Sequence, residues 1–66
     1  MNWDQVEGKW KQMGGKVKEQ WGRLTDDDLD DSAGKRDQLE GKIQEAYGKG
    51  RDEVKREVDH WLEASR

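Results

Sequence analysis

Asp26, Asp28 and Asp30 stand at alternate positions, like the first ligands of a calcium loop, where hard oxygens line a tight turn. The rest of such a loop is missing. Asp31 holds the sixth place, where glycine is needed, and Asp37 the twelfth, where a bidentate glutamate closes the shell. The acidic run from Asp26 to Asp31 is therefore expected to be a solvated helix start that attracts divalent cations weakly, not a specific metal site. His60, the single histidine, lies between Asp59 and Trp61 with no serine, cysteine or metal partner to frame it, and is expected at the surface. Trp3, Trp10 and Trp21, with Lys9, Lys11, Lys16 and Lys18 nearby, could offer stacking platforms to bases. They share one stripe with Val6, Met13 and Val17, however, which is what a core face requires. Lys9, Lys16, Lys18 and Arg23 could make a membrane-surface helix, but Glu7 and Glu19 interrupt the basic face such helices use. No catalytic, cofactor-binding or metal residue emerges, and the expectation is a protein that is not an enzyme and carries no cofactor.

The elements that would position any such group are set by size and charge. Sixty-six residues give one domain, 1–66, with a thin core and small reserves of stability. No cysteine is present to staple it. Charged residues make up 44% of the chain and the apolar set 29%, which borders on disorder, yet Trp3, Trp10, Trp21 and Trp61 supply the large apolar surfaces that a solvating chain lacks. Residues 1–24 hold five Lys or Arg against three acids, residues 25–33 hold five Asp, and residues 34–66 balance eight against eight. The net charge of −3 and the absence of a basic stripe argue against nucleic acid as a partner. The acidic, polar start from Met1 to Gly8 and the lack of a long apolar run point to the cytoplasm and away from the membrane.

A repeat organises the chain. Residues 8–23 return as residues 34–49, with seven identical pairs: Gly8/Gly34, Lys9/Lys35, Gln12/Gln38, Gly15/Gly41, Lys16/Lys42, Glu19/Glu45 and Gly22/Gly48. Met13/Leu39, Val17/Ile43, Trp21/Tyr47 and Arg23/Lys49 keep their chemistry. From Trp3 to Leu24 apolar side chains fall three or four residues apart, which predicts helix and excludes strand. Asn2 or Asp4 caps the start. Gly14 and Gly15 predict a break, with one helix near 3–12 and a second near 15–22 closed by Gly22. Thr25 caps a short helix anchored by Leu29, with acids facing the positive end of its dipole. A longer helix, the longest expected, starts near Ser32 or Ala33, buries Leu39, Ile43, Ala46 and Tyr47, and stops at Gly48–Gly50. The last helix opens at Arg51 and buries Val54, Val58, Trp61 and Leu62, with residues 63–66 fraying. The fold class is all-α: a small bundle of four to five short helices arranged as two crossed α-hairpins. The glycine trios at seven-residue spacing fall opposite the apolar stripe, so they are not expected to act as notches between helices. They either cap and break the helices or weaken them enough to hold the domain near its folding midpoint.

The segments Gly8-Lys-Trp-Lys-Gln-Met, Gly15-Lys-Val-Lys-Glu-Gln-Trp-Gly-Arg-Leu-Thr-Asp-Asp-Asp28 and Gly34-Lys-Arg-Asp-Gln-Leu-Glu-Gly-Lys-Ile-Gln-Glu-Ala-Tyr-Gly48 resemble the CsbD-like family of small bacterial proteins. The resemblance covers nearly the whole chain and agrees in glycine spacing, in the Trp-Gly-x-Leu-Thr-Asp-Asp-Asp segment and in the order of blocks. It implies a cytoplasmic bacterial protein of the general stress response, folded as crossed α-hairpins, with no catalytic residues to carry over. High glycine with high hydrophilicity also resembles the hydrophilins, proteins thought to protect others during water deficit. Two functions follow as expectations. The first is a monomeric, non-enzymatic protein that protects other macromolecules under osmotic or stationary-phase stress. The alternative is a helical binding module for an unidentified protein partner, which needs an exposed apolar group such as Trp61 or Tyr47.

Overall fold

The structure, a computed structural model, describes residues 1–65. Five helices follow one another: α1 (Trp3–Gly8), α2 (Trp10–Gln20), α3 (Asp26–Ser32), α4 (Arg36–Tyr47) and α5 (Arg51–Ala64). The fold is all-α, and no strand occurs among the described residues. α3 and α5 both pack along α4, while α1 packs against α2.

The helix starts are written in local side chains. Asn2 Oδ1 accepts from the Gln5 amide at 3.0 Å while Gln5 Oε1 accepts from the Asn2 amide at 3.2 Å, a reciprocal cap that settles the choice between Asn2 and Asp4. Thr25 and Asp28 form the same box at α3, with Asp26, Asp27 and Asp28 in the first turn. Replacing Thr25 with alanine removes that cap and is expected to cost about 1 kcal/mol. Thermal unfolding should then shift down by roughly 4–8 °C, as read by circular dichroism. Gly48 ends α4 in the left-handed region, at φ 64°, as its position predicts.

The predicted break at Gly14–Gly15 is absent; α2 runs straight through both glycines and the chain breaks at Lys9 instead. Two interior glycines cost about 1 kcal/mol each, but Met13 and Val17 on the buried face hold the helix closed around them. Tertiary burial here outweighs local propensity. Lys9, at φ −118° and ψ 33°, separates α1 from α2, and the Trp3 indole N–H donates to the Gly34 carbonyl at 2.9 Å. Three further boundaries differ from expectation. α4 begins at Arg36 because Ser32 completes α3 and Ala33 and Gly34 turn the chain at φ 52° and 80°. Gly22 follows Trp21, the cap residue after α2, without a positive φ, so no left-handed stop forms there. α5, with 14 residues, exceeds α4, with 12, and carries no glycine in its interior; it extends through Ala64, while Arg66 lies outside the described residues.

One core joins all five helices. Val6, Met13, Val17, Trp21, Leu24, Leu29, Leu39, Ile43, Val54, Val58, Trp61 and Leu62 are buried, and Trp3, Trp10, Ala46 and Tyr47 pack half-buried around them. All of these positions but Leu29, the lone apolar anchor of α3, lie on apolar stripes visible in the sequence. Trp21 meets Trp61 edge to face at 5.5 Å between ring centres, and Trp3 meets Trp10 at 6.0 Å, tilted by 54°.

Candidate functional site

The acidic run forms a helix, not a loop. Within α3 the alternate aspartates project around the axis instead of converging. Asp28 is committed to the Thr25 cap, Asp26 pairs with Lys18 of α2, and Asp31 pairs with Lys42 of α4 at 3.4 Å. Asp37, the would-be closing ligand, accepts from the Gln38 amide at 2.9 Å. No three of His, Asp and Glu converge as a metal-ligand set among the described residues. His60 is exposed on α5. Ser32, buried completely, donates its hydroxyl to the Asp28 carbonyl at 2.8 Å and so serves its own helix.

The tryptophans divide by depth. Trp21 and Trp61 lie in the core at 2% and 7% exposure, which removes both from any stacking surface. Trp3 and Trp10 sit at its rim with their indole N–H groups donated to carbonyls of Gly34 and Leu29, at 2.9 and 3.0 Å. Shallow hollows flank Trp10, one beside Glu7, Gly8, Lys9 and Gln12, the other between Lys11, Gly14, Asp26 and Asp30. Each mixes basic with acidic groups and opens to solvent, so neither presents the basic groove that a nucleic-acid strand follows.

Two polar clusters lie beyond what the sequence predicts. Arg36 donates to Glu40 at 2.8 Å, to Asp59 at 2.6 Å and to the Lys55 carbonyl at 3.2 Å, tying α4 to α5. Burial works against the Arg36 charge, but the hydrogen bonds to Asp59 and Glu40 prevail and hold its pKa above the ordinary value. The Arg36/Glu40 spacing of four residues is the available signal; its continuation to Asp59 is not legible. In the second cluster, Tyr47 is flanked by two cations, with the Arg23 guanidinium 5.2 Å and the Lys49 ammonium 5.6 Å from its ring centre. Its hydroxyl accepts from the Arg23 amide at 3.1 Å, and Lys49 reaches on to Glu57 at 2.8 Å. Arg23 and Lys49 occupy the same place in the two copies of the repeat, and both end on one ring.

What remains outside is charged and polar. No large hydrophobic side chain is exposed among the described residues, and no helix of the described residues is long and apolar enough to cross a membrane.

The CsbD-like family model matches residues 4–56. The UPF0337 protein Atu4724 of Agrobacterium fabrum is 67% identical over 61 residues, which cover 92% of this chain and 91% of the relative. The UPF0337 protein msl9551 of Mesorhizobium japonicum is 70% identical over 61 residues, with the same coverage of 92% and 91%. The UPF0337 protein YjbJ of Escherichia coli is 62% identical over 61 residues, 92% of this chain and 88% of the relative. No solved structure matches the chain. With the family model spanning most of the sequence and bacterial relatives aligned almost end to end, the chain belongs to the CsbD-like family of stress-response proteins.

Proposed function

We propose that the protein is a non-enzymatic protectant: a folded, monomeric, cytoplasmic helical domain whose charged, glycine-bearing surface stays hydrated and shields other macromolecules under osmotic or stationary-phase stress. One observation supports this above the others. No large apolar side chain is exposed among the described residues of a chain that is 44% charged, so charged and polar groups dominate the exterior. A Cβ added at Gly8, Gly15, Gly41 or Gly50 would meet nothing within 4 Å, so these glycines do not serve packing. Membership of a stress-response family agrees with this reading.

The binding-module reading requires an exposed apolar anchor at Trp61 or Tyr47. Trp61 is buried and Tyr47 lies beneath Arg23 and Lys49, so the protectant reading has the stronger support. The test is the recovery of a labile enzyme through drying or heat, with an inert protein of equal mass as control. Recovery well above the control is expected; equal recovery with both proteins would sink the proposal.

A further inference from the structure

We infer that α1 and α2 form a unit that unfolds separately, leaving α3, α4 and α5 as a more stable body. The inference stands apart from the protectant reading, because it is tested on the protein alone.

The two parts are held differently. Helix packing is densest within α3–α4–α5, and α1 adjoins α2 across the single residue Lys9. The second part is also laced internally: Lys42 to Asp31 joins α3 to α4, Arg36 to Asp59 and to the Lys55 carbonyl joins α4 to α5, and Lys49 to Glu57 closes the turn between them. Across the boundary the one ion pair among the described residues is Lys18 with Asp26, whose side chains are 41% and 80% exposed and therefore weakly coupled. The other polar links across it are isolated hydrogen bonds, each with a side chain or the chain terminus as at least one partner. Trp3 bonds the Gly34 carbonyl, Trp10 the Leu29 carbonyl, the Met1 amine the Leu62 carbonyl, and Arg23 reaches Tyr47 and the Ala46 carbonyl.

Intrinsic helix strength falls on the same side. α1, although capped by Asn2, has six residues, and α2 carries adjacent glycines at 14 and 15, against one interior glycine in α4. α3 has its capping box, α4 a left-handed glycine stop, and α5 no interior glycine. Opening at residues 21–25 would retain Leu29, Leu39, Ile43, Val54 and Val58 together and uncover the stripe Val6, Met13, Val17 and Trp21. Side chains, not helix backbones, carry the junction, which is the arrangement in which cooperative units separate below the global unfolding limit.

Native-state hydrogen exchange on the full chain decides the matter. Amides of Val17 and Lys18 in α2 should exchange about ten-fold faster, relative to their unfolded rates, than those of Ile43 and Val58, and with a smaller urea dependence. Two substitutions into open space sharpen the test. Gly41→Ala strengthens α4 and should slow Ile43 and Val58 by about five-fold, leaving α2 unchanged, since α4 is folded before and after the smaller opening. Gly15→Ala should slow both groups alike, because α2 is unfolded in either opening. Equal protection and equal urea dependence throughout, or a slowing of α2 by Gly41→Ala that matches that of α4, would overturn the inference and establish a single cooperative unit.

Discussion

Trp21→Ala is expected to leave α1 and α2 largely unfolded at 25 °C. Trp21 is 2% exposed and stands edge to face with Trp61 at 5.5 Å between ring centres. Deleting a buried tryptophan side chain costs about 3–5 kcal/mol in lost transfer energy and cavity. A core of this size supplies about 3–5 kcal/mol of net stability, with no disulfide to add to it. The loss therefore equals the reserve. Trp21→Phe is the companion variant: it keeps a ring against Trp61 and removes an indole N–H that finds no acceptor among the described residues. It should cost less than half as much. Far-UV circular dichroism across a urea titration checks both; a cooperative transition for the alanine variant near the parent midpoint would contradict the role given to this ring pair.

Gly34→Ala is expected to cost about 2 kcal/mol, and to lower Tm by roughly 10 °C, whereas Gly8→Ala is expected to be neutral or mildly stabilising. The two glycines are paired by the repeat, yet their physics is opposite. Gly34 holds φ 80°, follows Ala33 at φ 52°, and a Cβ there would lie 3.2 Å from Glu7 Cγ and 3.7 Å from Trp10 Cγ. An L side chain meets both a backbone penalty and a crowded neighbour. Gly8 ends α1, and a Cβ added there would meet nothing within 4 Å. Parallel thermal scans of the two variants separate them; equal shifts would mean that Gly34 is not the close-approach point between α1 and the turn before α4.

This pair also marks the limit of what the sequence discloses. Periodicity finds the inner faces of α1, α2, α4 and α5, because a stripe such as Val54, Val58, Trp61 and Leu62 has only one way to meet a core, while α3 offers Leu29 alone. Caps at Asn2 and Thr25 are legible for a similar reason: the chemistry is contained within four residues. The Gly14–Gly15 break is misplaced because propensity is a local quantity and the burial of Met13 and Val17 is not. Gly34 falls with the solvent-facing glycines because a heptad count assumes a continuous helix, and the turn at Ala33–Gly34 ends that assumption. The Ser32-Ala33-Gly34 run after an acidic helix is a usable stop signal. The surface is easier to read than any site. High charge, no cysteine and an isolated histidine describe the exterior well, whereas the Arg36 and Tyr47 clusters depend on partners 23 and 24 residues away.

The central claim is that the hydrated charge of a folded surface carries the protective activity. A variant that exchanges Lys16, Glu19, Glu45 and Lys55 for glutamine keeps the net charge, and all four residues are exposed and outside the ion pairs. Its fold, checked by circular dichroism, should match that of the parent. The measurement is recovery of a labile enzyme after drying, with parent and variant at equal concentration. Clearly weaker protection by the variant is the result predicted here; undiminished protection at equal fold would contradict the claim that surface charge is its source.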